Sequence, residues 1–266
     1  MASNLATSMK TRFLAMMALM VVPWAGRAVP ISLSSLGVPY TQDFNTLANT
    51  GTSSTLPTGW TFSETGSNAN GLYTAGTGSS NTGDTYSFGA SSSNERALGG
   101  LRSGKLIPLF GVEFRNDTGS TIASLAIAYT GEQWRLGSTG RADRLDFQYS
   151  LDATSLTVGS WQDFDALDFS SPSSSGSAGA RDGNDPAYRT LHSATLPVTV
   201  PAGGTFWLRW VDYDAADADD GLAVDDFSLT ARGSPSVTVP ETGRTAGLLG
   251  LALVGLVVVR EKSGLV

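Results

Sequence analysis

The sequence predicts an all-β protein built on an antiparallel β-sandwich of the jelly-roll type. Apolar and polar residues alternate with period 2 at short intervals, as at Leu145, Phe147, Tyr149 and Leu151, and no stretch sustains a helical period. Only 15% of residues are charged, and Gly, Ser and Thr are abundant, which suits short strands joined by tight turns. Such half-buried strands close their apolar faces by packing as two sheets.

The N-terminal segment 1–28 has the layout of a secretory signal peptide. Basic residues precede the apolar stretch 13–22, and small residues lead to a cleavage site after Ala28. The basic region begins directly after Met9, so Met1 and Met9 both remain open as the start. A buried N-terminal helix is the alternative, but the flanking charge and the small residues favour export.

One large domain is expected over residues 29–230. In chain order, its strands are expected at 59–64, 84–88, 95–101, 112–115, 125–129, 145–152, 161–169, 190–200, 205–213 and 222–230. Gly- and Ser-rich loops lie between them, the longest at 170–185, and loops of that length often carry binding sites. Because the chain has no cysteine, its stability outside the cell must come from core burial, ion pairs or bound metal.

The charge of the exported part is strongly acidic. Residues 29–243 contain 23 Asp and Glu against 11 Lys and Arg. A phosphate backbone would be repelled by such a surface, so nucleic acid is excluded as a partner. Divalent cations are the natural partners instead.

Aspartates are concentrated near the end of the domain. Seven of them lie in the segment 212–226. Their carboxylates repel one another unless a cation or basic side chains lie among them. Calcium fits best, because it accepts about six to eight oxygen ligands from irregular loops, although the spacing is not that of an EF-hand. The alternative is a solvated acidic loop between two strands.

The hydrophobic phase slips by one residue within this segment. Leu222 and Val224 lie on one face by alternation, whereas Phe227 and Leu229 lie on the other. A β-bulge at the two intervening aspartates restores the phase and turns one carboxylate toward the sheet edge.

Asp43 in the first strand approaches that edge if the terminal strands pair. Asp-Phe near the start and Asp-Asp-Phe at 225–227 resemble the ends of MAM-type and other calcium-stabilised jelly-roll domains, and the metal prediction depends on that resemblance. The ligands expected for a structural Ca²⁺ are Asp43, Asp212, Asp214, Asp225 and Asp226.

Residues 39–230 as a whole are similar to a module common in secreted and surface-anchored bacterial proteins. The similarity lies in the segments 42–47, 56–60, 95–99, 131–135 and 222–227. Such modules accompany nuclease or phosphatase domains in larger proteins. The resemblance implies an accessory or surface role and transfers no active site.

Several charged and aromatic residues interrupt the apolar strands. The charged ones are Glu95, Arg96, Glu132, Arg135 and Arg209. A structural network of ion pairs and stacked rings across one sheet is the favoured interpretation, and a polar groove for a sugar or peptide is the alternative. Four tryptophans offer a carbohydrate platform if exposed, although aromatic residues of a sandwich are mostly core: Trp60, Trp134, Trp161 and Trp207.

The C-terminal segment 239–266 has the layout of a sorting tail, preceded by a linker at 231–238. Its motif is Val239, Pro240, Glu241, Thr242 and Gly243. An apolar run of 14 residues and a basic end follow; the run is short against the roughly 20 residues of a membrane-spanning helix, so flanking residues must extend it. The tail resembles the PEP-CTERM family, and more closely the related tails with a Val-Pro-Asp-Ser-Gly motif.

That resemblance implies an exosortase-type processing enzyme, passage through the cytoplasmic membrane and an extracellular polysaccharide setting. A sortase signal of the Leu-Pro-x-Thr-Gly type ranks second, and an uncleaved membrane anchor third. The sequence therefore predicts an exported, surface-anchored or matrix-associated protein with a structural or adhesive role. The runner-up is an extracellular carbohydrate-binding module. An enzyme is not expected, because the single histidine, His192, lies in no catalytic motif.

Overall fold

The computed structural model describes residues 29–234. The strands are β1 (Ile31–Leu33), β2 (Pro39–Gln42), β3 (Thr52–Ser53), β4 (Trp60–Thr65), β5 (Tyr73–Gly76), β6 (Asp84–Phe88), β7 (Ala97–Leu101), β8 (Ile107–Asn116), β9 (Ile122–Leu136), β10 (Arg144–Ser150), β11 (Gln162–Asp163), β12 (Phe169–Ser170), β13 (Gly179–Ala180), β14 (Arg189–Val200), β15 (Thr205–Asp212) and β16 (Gly221–Arg232). Two short 3-10 turns, Asp165–Leu167 and Pro186–Tyr188, are the only helical segments of this part of the chain.

These strands form two sheets. The smaller sheet has the order β1-β8-β15-β10-β11, with β4 beside β8 and β12 beside β10. The larger has the order β13-β9-β16-β7-β6-β5-β3, with β14 beside β9 and β2 beside β16. The prediction of an all-β sandwich is confirmed. The expectation of wholly antiparallel sheets is wrong at β1–β8 and β5–β6, which are parallel. Both pairs involve very short strands that are not joined by a hairpin.

The main core lies between the sheets. The ring of Phe227 in β16 contacts Trp60 of β4 and Trp210 of β15, with centroid distances of 5.3 and 5.9 Å. Phe114 of β8 lies at 6.4 Å from the same ring. All four side chains are buried, so this aromatic group joins the two layers.

The predicted β-bulge in the last strand is confirmed. Asp225 pairs with Thr130 and Ser228 with Ala128, so β16 contains one residue more than β9 at this point. Asp226 has a φ of 49°, a left-handed conformation that aspartate tolerates better than most residues. The apolar residues on both sides of the bulge consequently face the same core. β2 pairs with β16 directly after the bulge, as expected for the terminal strands.

Several predicted segments lie outside the described residues. They are the signal peptide 1–28 with its cleavage site at Ala28, the second half of the linker at 235–238, and the tail 239–266 with its motif. Strand β16 continues to Arg232, two residues past the domain boundary predicted at 230, because Ala231 is buried and pairs with Leu125. Within residues 29–234, no helix is long and apolar enough to cross a membrane.

Candidate metal centre

The outer face of the larger sheet carries a second apolar cluster. Its members are Tyr86, Phe88, Ala97, Leu101, Trp134 and Ala223. Side chains two residues apart in a strand share a face, so Glu132 projects beside Trp134 in β9, and Asp225 projects beside Ala223 in β16. The outer face of the larger sheet thus carries two buried carboxylates beside this apolar cluster.

Glu95, just before β7, joins these two carboxylates. One oxygen from each of Glu95, Glu132 and Asp225 lies within 4.8 Å of the others. Glu132 is fully buried and Asp225 is only 6% exposed. Glu95 Oε1, Glu132 Oε1 and Asp225 Oδ1 are buried without any hydrogen-bond partner. Buried polar atoms are rarely left unpaired, so three of them in one cluster require an explanation.

The remaining oxygens of the two glutamates are held by hydrogen bonds. Trp134 Nε1 donates to Glu132 Oε2 at 2.9 Å, and Asn184 Nδ2 donates to Glu95 Oε2. Each glutamate is therefore fixed through one oxygen while the other has no protein partner. In the described part of the chain, no arginine or lysine forms an ion pair with either glutamate, so the predicted ion-pair network is wrong here. Arg96 is buried too, but it donates to Ser87 and to backbone carbonyls instead.

Burial changes the protonation of this cluster. It raises the pKa of Glu132 to about 8, and the negative charges of Glu95 and Asp226 add to the effect, while the bond from Trp134 opposes it. The pKa of Asp225 is raised chiefly by burial and then by the charge of Glu132. In the absence of a cation, the pair therefore retains protons near neutral pH. A bound cation would replace those protons and occupy the unpaired oxygens.

The chemistry of the donors fits a hard divalent cation. All three side chains offer carboxylate oxygens, the ligands that Ca²⁺ prefers, and neither histidine nor cysteine belongs to the cluster. Backbone carbonyls or water would complete the coordination shell. The three ligands come from β9, β16 and the segment before β7, so an ion here would connect three parts of the larger sheet.

The five aspartates predicted as ligands are divided among three places. Asp225 belongs to the cluster described above. Asp226 is exposed and, with Asp43, lines an adjacent open cleft of about 420 Å³. Asp212 and Asp214 lie at the end of β15 in the smaller sheet, where the backbone N–H of Arg102 donates to Asp212 and its guanidinium pairs with Asp214, both at 3.1 Å. The aspartate-rich segment connects two sheets, and its carboxylates cannot all converge.

Other aspartates of this segment take part in a separate polar network. Arg141 pairs with Asp220 at 3.3 Å and with Asp143 at 3.5 Å. The backbone N–H of Asp220 also donates to Asp143 at 2.7 Å. Both aspartates are fully buried, so a solvated loop does not describe them. Their oxygens are satisfied by protein groups, unlike those of the candidate metal centre.

Asp212 provides a prediction on pH dependence. It is buried, its Oδ1 has no partner, and burial followed by the charges of Asp143 and Asp219 raises its pKa well above the usual value. Between the pKa of Asp212 in the unfolded state, about 3.9, and its raised pKa in the folded state, the folded state binds more protons than the unfolded state. The free energy of unfolding therefore falls as pH rises through this interval and through the folded pKa. Asp212→Asn should reduce that loss, measured as the urea midpoint from about pH 5 to about pH 8. Equal pH dependence in the parent and the variant would contradict this assignment.

The tryptophans confirm the core interpretation. Trp60, Trp134 and Trp207 are 3%, 2% and 3% exposed, so they form no carbohydrate platform. Trp161 is half-buried, with the guanidinium of Arg209 at 3.9 Å over its ring. The stacking expected in the charged and aromatic network is therefore confirmed at Arg209, with Trp161 as its partner.

Comparisons with known proteins identify no family. No family model matches the chain, and no curated protein matches it. Among solved structures, the CBM22-1 xylan-binding domain of Paenibacillus barcinonensis Xyn10C is 11% identical, covering 78% of this chain and 99% of that chain at a TM-score of 0.34. The K3 cleaved adhesin domain of Lys-gingipain from Porphyromonas gingivalis is 11% identical, covering 65% and 93% at 0.36. A family 11 carbohydrate-binding module from Clostridium thermocellum is also 11% identical, covering 73% and 96% at 0.31. At such scores the assignment of the fold depends on the sheets and core described above.

Proposed function

We propose that this chain is an exported, surface-anchored or matrix-associated β-sandwich module of jelly-roll type. Its role is structural or adhesive rather than catalytic, and a calcium ion held by Glu95, Glu132 and Asp225 stabilises it. The observation that carries the calcium proposal is the convergence of three carboxylates, with one oxygen of each within 4.8 Å of the others, in a cluster where each also has a buried oxygen without a hydrogen-bond partner. The role outside the cell follows from the signal peptide and from the sorting tail, which an exosortase-type enzyme would process.

The position of the cluster supports a structural use of the ion. The three ligands come from segments far apart in sequence that meet on one face of the larger sheet. Glu132, fixed by Trp134, is already oriented, which lowers the cost of ordering it around an ion. In a chain without disulfides, such an ion supplies a cross-link that withstands an oxidising compartment.

Direct binding tests this proposal. Isothermal titration calorimetry of the purified chain with CaCl₂ should give one ion per molecule. Glu132→Gln and Asp225→Asn should each abolish the binding heat, because each removes a charged ligand. Asp214→Asn is the matched control, since Asp214 lies outside the cluster, and it should bind like the parent. Absence of calcium binding in the parent chain would refute the proposal.

A second candidate function, glycan binding, is favoured by one surface cleft. The cleft lies between the margins of the two sheets, encloses about 440 Å³, and contains no charged side chain. Its lining residues are Ala123, Tyr149, Leu151, Gln162, Pro197, Val198 and Thr199. On an otherwise acidic chain, a neutral cleft suits a neutral oligosaccharide better than an anionic ligand.

The polar groups of the cleft suit sugar hydroxyls. Tyr149 donates to Gln162 Oε1 at 2.9 Å, which fixes the phenol ring and leaves the exposed amide nitrogen of Gln162 as a donor. Leu151 is exposed beside them. A half-exposed aromatic ring with a neutral amide combines an apolar contact with directional hydrogen bonds, as in many small-molecule sites.

Tyr149→Ala should lower the affinity for neutral polysaccharides at least about tenfold, which corresponds to about 1.4 kcal/mol. Affinity electrophoresis against a panel of soluble polysaccharides measures it. Tyr213→Ala is the control, because Tyr213 is 47% exposed and lies outside the cleft, beneath Arg144. Equal affinity in both variants and the parent would exclude this cleft, and absence of binding throughout would exclude the glycan function.

A further inference from the structure

The segment that carries Asn184 is fixed directly over the candidate metal centre. Strand β13 pairs with the end of β9, and the backbone N–H of Arg181 donates to the carbonyl of Trp134 at 2.7 Å. Gly183 then passes over the indole of Trp134, so closely that a Cβ there would overlap the ring. Trp134 is also the residue whose indole N–H holds Glu132, so one side chain contacts both a proposed ligand and the segment above it.

The next residue, Asn184, reaches the cluster itself. Its side-chain amide donates to Glu95 Oε2, while Glu95 Oε1 is the oxygen left without a partner. Asp182 accepts from the backbone N–H of Asn184 at 3.2 Å, which shapes the turn that points this amide inward. The amide nitrogen thus compensates part of the carboxylate charge of Glu95.

A cation changes which end of the amide is favoured. With an ion in the cluster, Glu95 no longer needs an amide donor, and an amide oxygen is itself a good calcium ligand. A half-turn of the side-chain amide exchanges Nδ2 for Oδ1 with almost no movement of the other atoms. We infer that Asn184 is a further ligand of the cation, through Oδ1, and that the ion therefore fastens the segment 181–185 onto the larger sheet. This inference rests on the proposed calcium site.

Limited proteolysis with trypsin tests the inference on the purified chain, because Arg181 lies in the fastened segment. Calcium should slow cleavage after Arg181 by roughly tenfold or more relative to excess chelator, as a segment that must open before it is cut becomes harder to open. Asn184→Ala should remove that protection and weaken calcium binding by roughly tenfold, measured by calorimetry. Asn184→Asp, which restores an oxygen ligand, should recover both.

Asn49→Ala is the matched control. Asn49 donates to Asn94, directly before Glu95, but forms no hydrogen bond with Glu95 itself, so the variant should leave both calcium affinity and calcium-dependent protection unchanged. If the parent binds calcium and Asn184→Ala binds it equally well, with unaltered protection after Arg181, the role of Asn184 is overturned while the calcium site stands. If the parent binds no calcium, the proposed function fails, and this inference fails with it.

Discussion

Calcium is expected to raise the free energy of unfolding by about 2.7 kcal/mol at a concentration one hundred times its dissociation constant. The reason is that Glu95, Glu132 and Asp225 converge only in the folded state, so an ion bound by all three stabilises that state selectively. For a domain of this size, the gain corresponds to a rise in melting temperature of roughly 5–10 °C. Differential scanning calorimetry with calcium and with excess chelator measures it.

The variant Glu132→Gln distinguishes calcium binding at this site from general effects of salt on stability. The variant should show almost no response to calcium, because it lacks a charged ligand at the buried centre of the cluster. Without calcium it should be at least as stable as the parent, since a neutral amide never adds a negative charge to the buried cluster, whereas Glu132 does so as pH rises through its pKa of about 8. Asp214→Asn should retain the full calcium response. A calcium response of the same size in Glu132→Gln would contradict the assignment of the site.

Strand alternation was sufficient to predict most of the sandwich. The segment 145–152 corresponds to β10, and 205–213 to β15, because their apolar residues face the core at every second position. The bulge was also predictable, since a phase slip between two apolar pairs has no other simple explanation in a buried strand. The two parallel pairs were not predictable, because strands as short as β1 and β5 carry too few residues to show how they join a sheet.

The candidate metal centre was predicted only in part. The high density of aspartates in the segment 212–226 predicted Asp225 as a metal ligand. It also predicted Asp212 and Asp214, which lie at the end of β15 in the other sheet. Glu95 and Glu132 stood out as charges within apolar segments and were interpreted as ion-pair partners. Their convergence depends on the register between β16 and β9 that places Ala223 beside Glu132. These strands are about 90 residues apart in the chain, and the alternation of apolar residues cannot specify how they pair.

Deletion of Ser228 is expected to unfold the protein or to destabilise it severely. Ser228 lies in the regular ladder directly after the bulge, and removing it would turn Leu229 and Ala231 from the core to the outer face. If β16 instead lost its bulge to keep these two residues inside, Phe227 would turn outward. Leu229 and Phe227 are fully buried, and exposing either costs about 1.5–3 kcal/mol, a large part of the total stability of about 5–15 kcal/mol of a typical domain. Urea unfolding followed by tryptophan fluorescence measures the loss.

Asp226→Gly is the control for that deletion. It keeps the residue count of the bulge and readily adopts the φ of 49°, so the variant should fold, with a stability close to that of the parent. Asp226 is exposed and lies outside the three-carboxylate cluster, so calcium should still raise its melting temperature. A deletion variant as stable as the parent would show that β16 can shift its register without losing its core contacts. The bulge would then not fix which residues in the second half of β16 face the core.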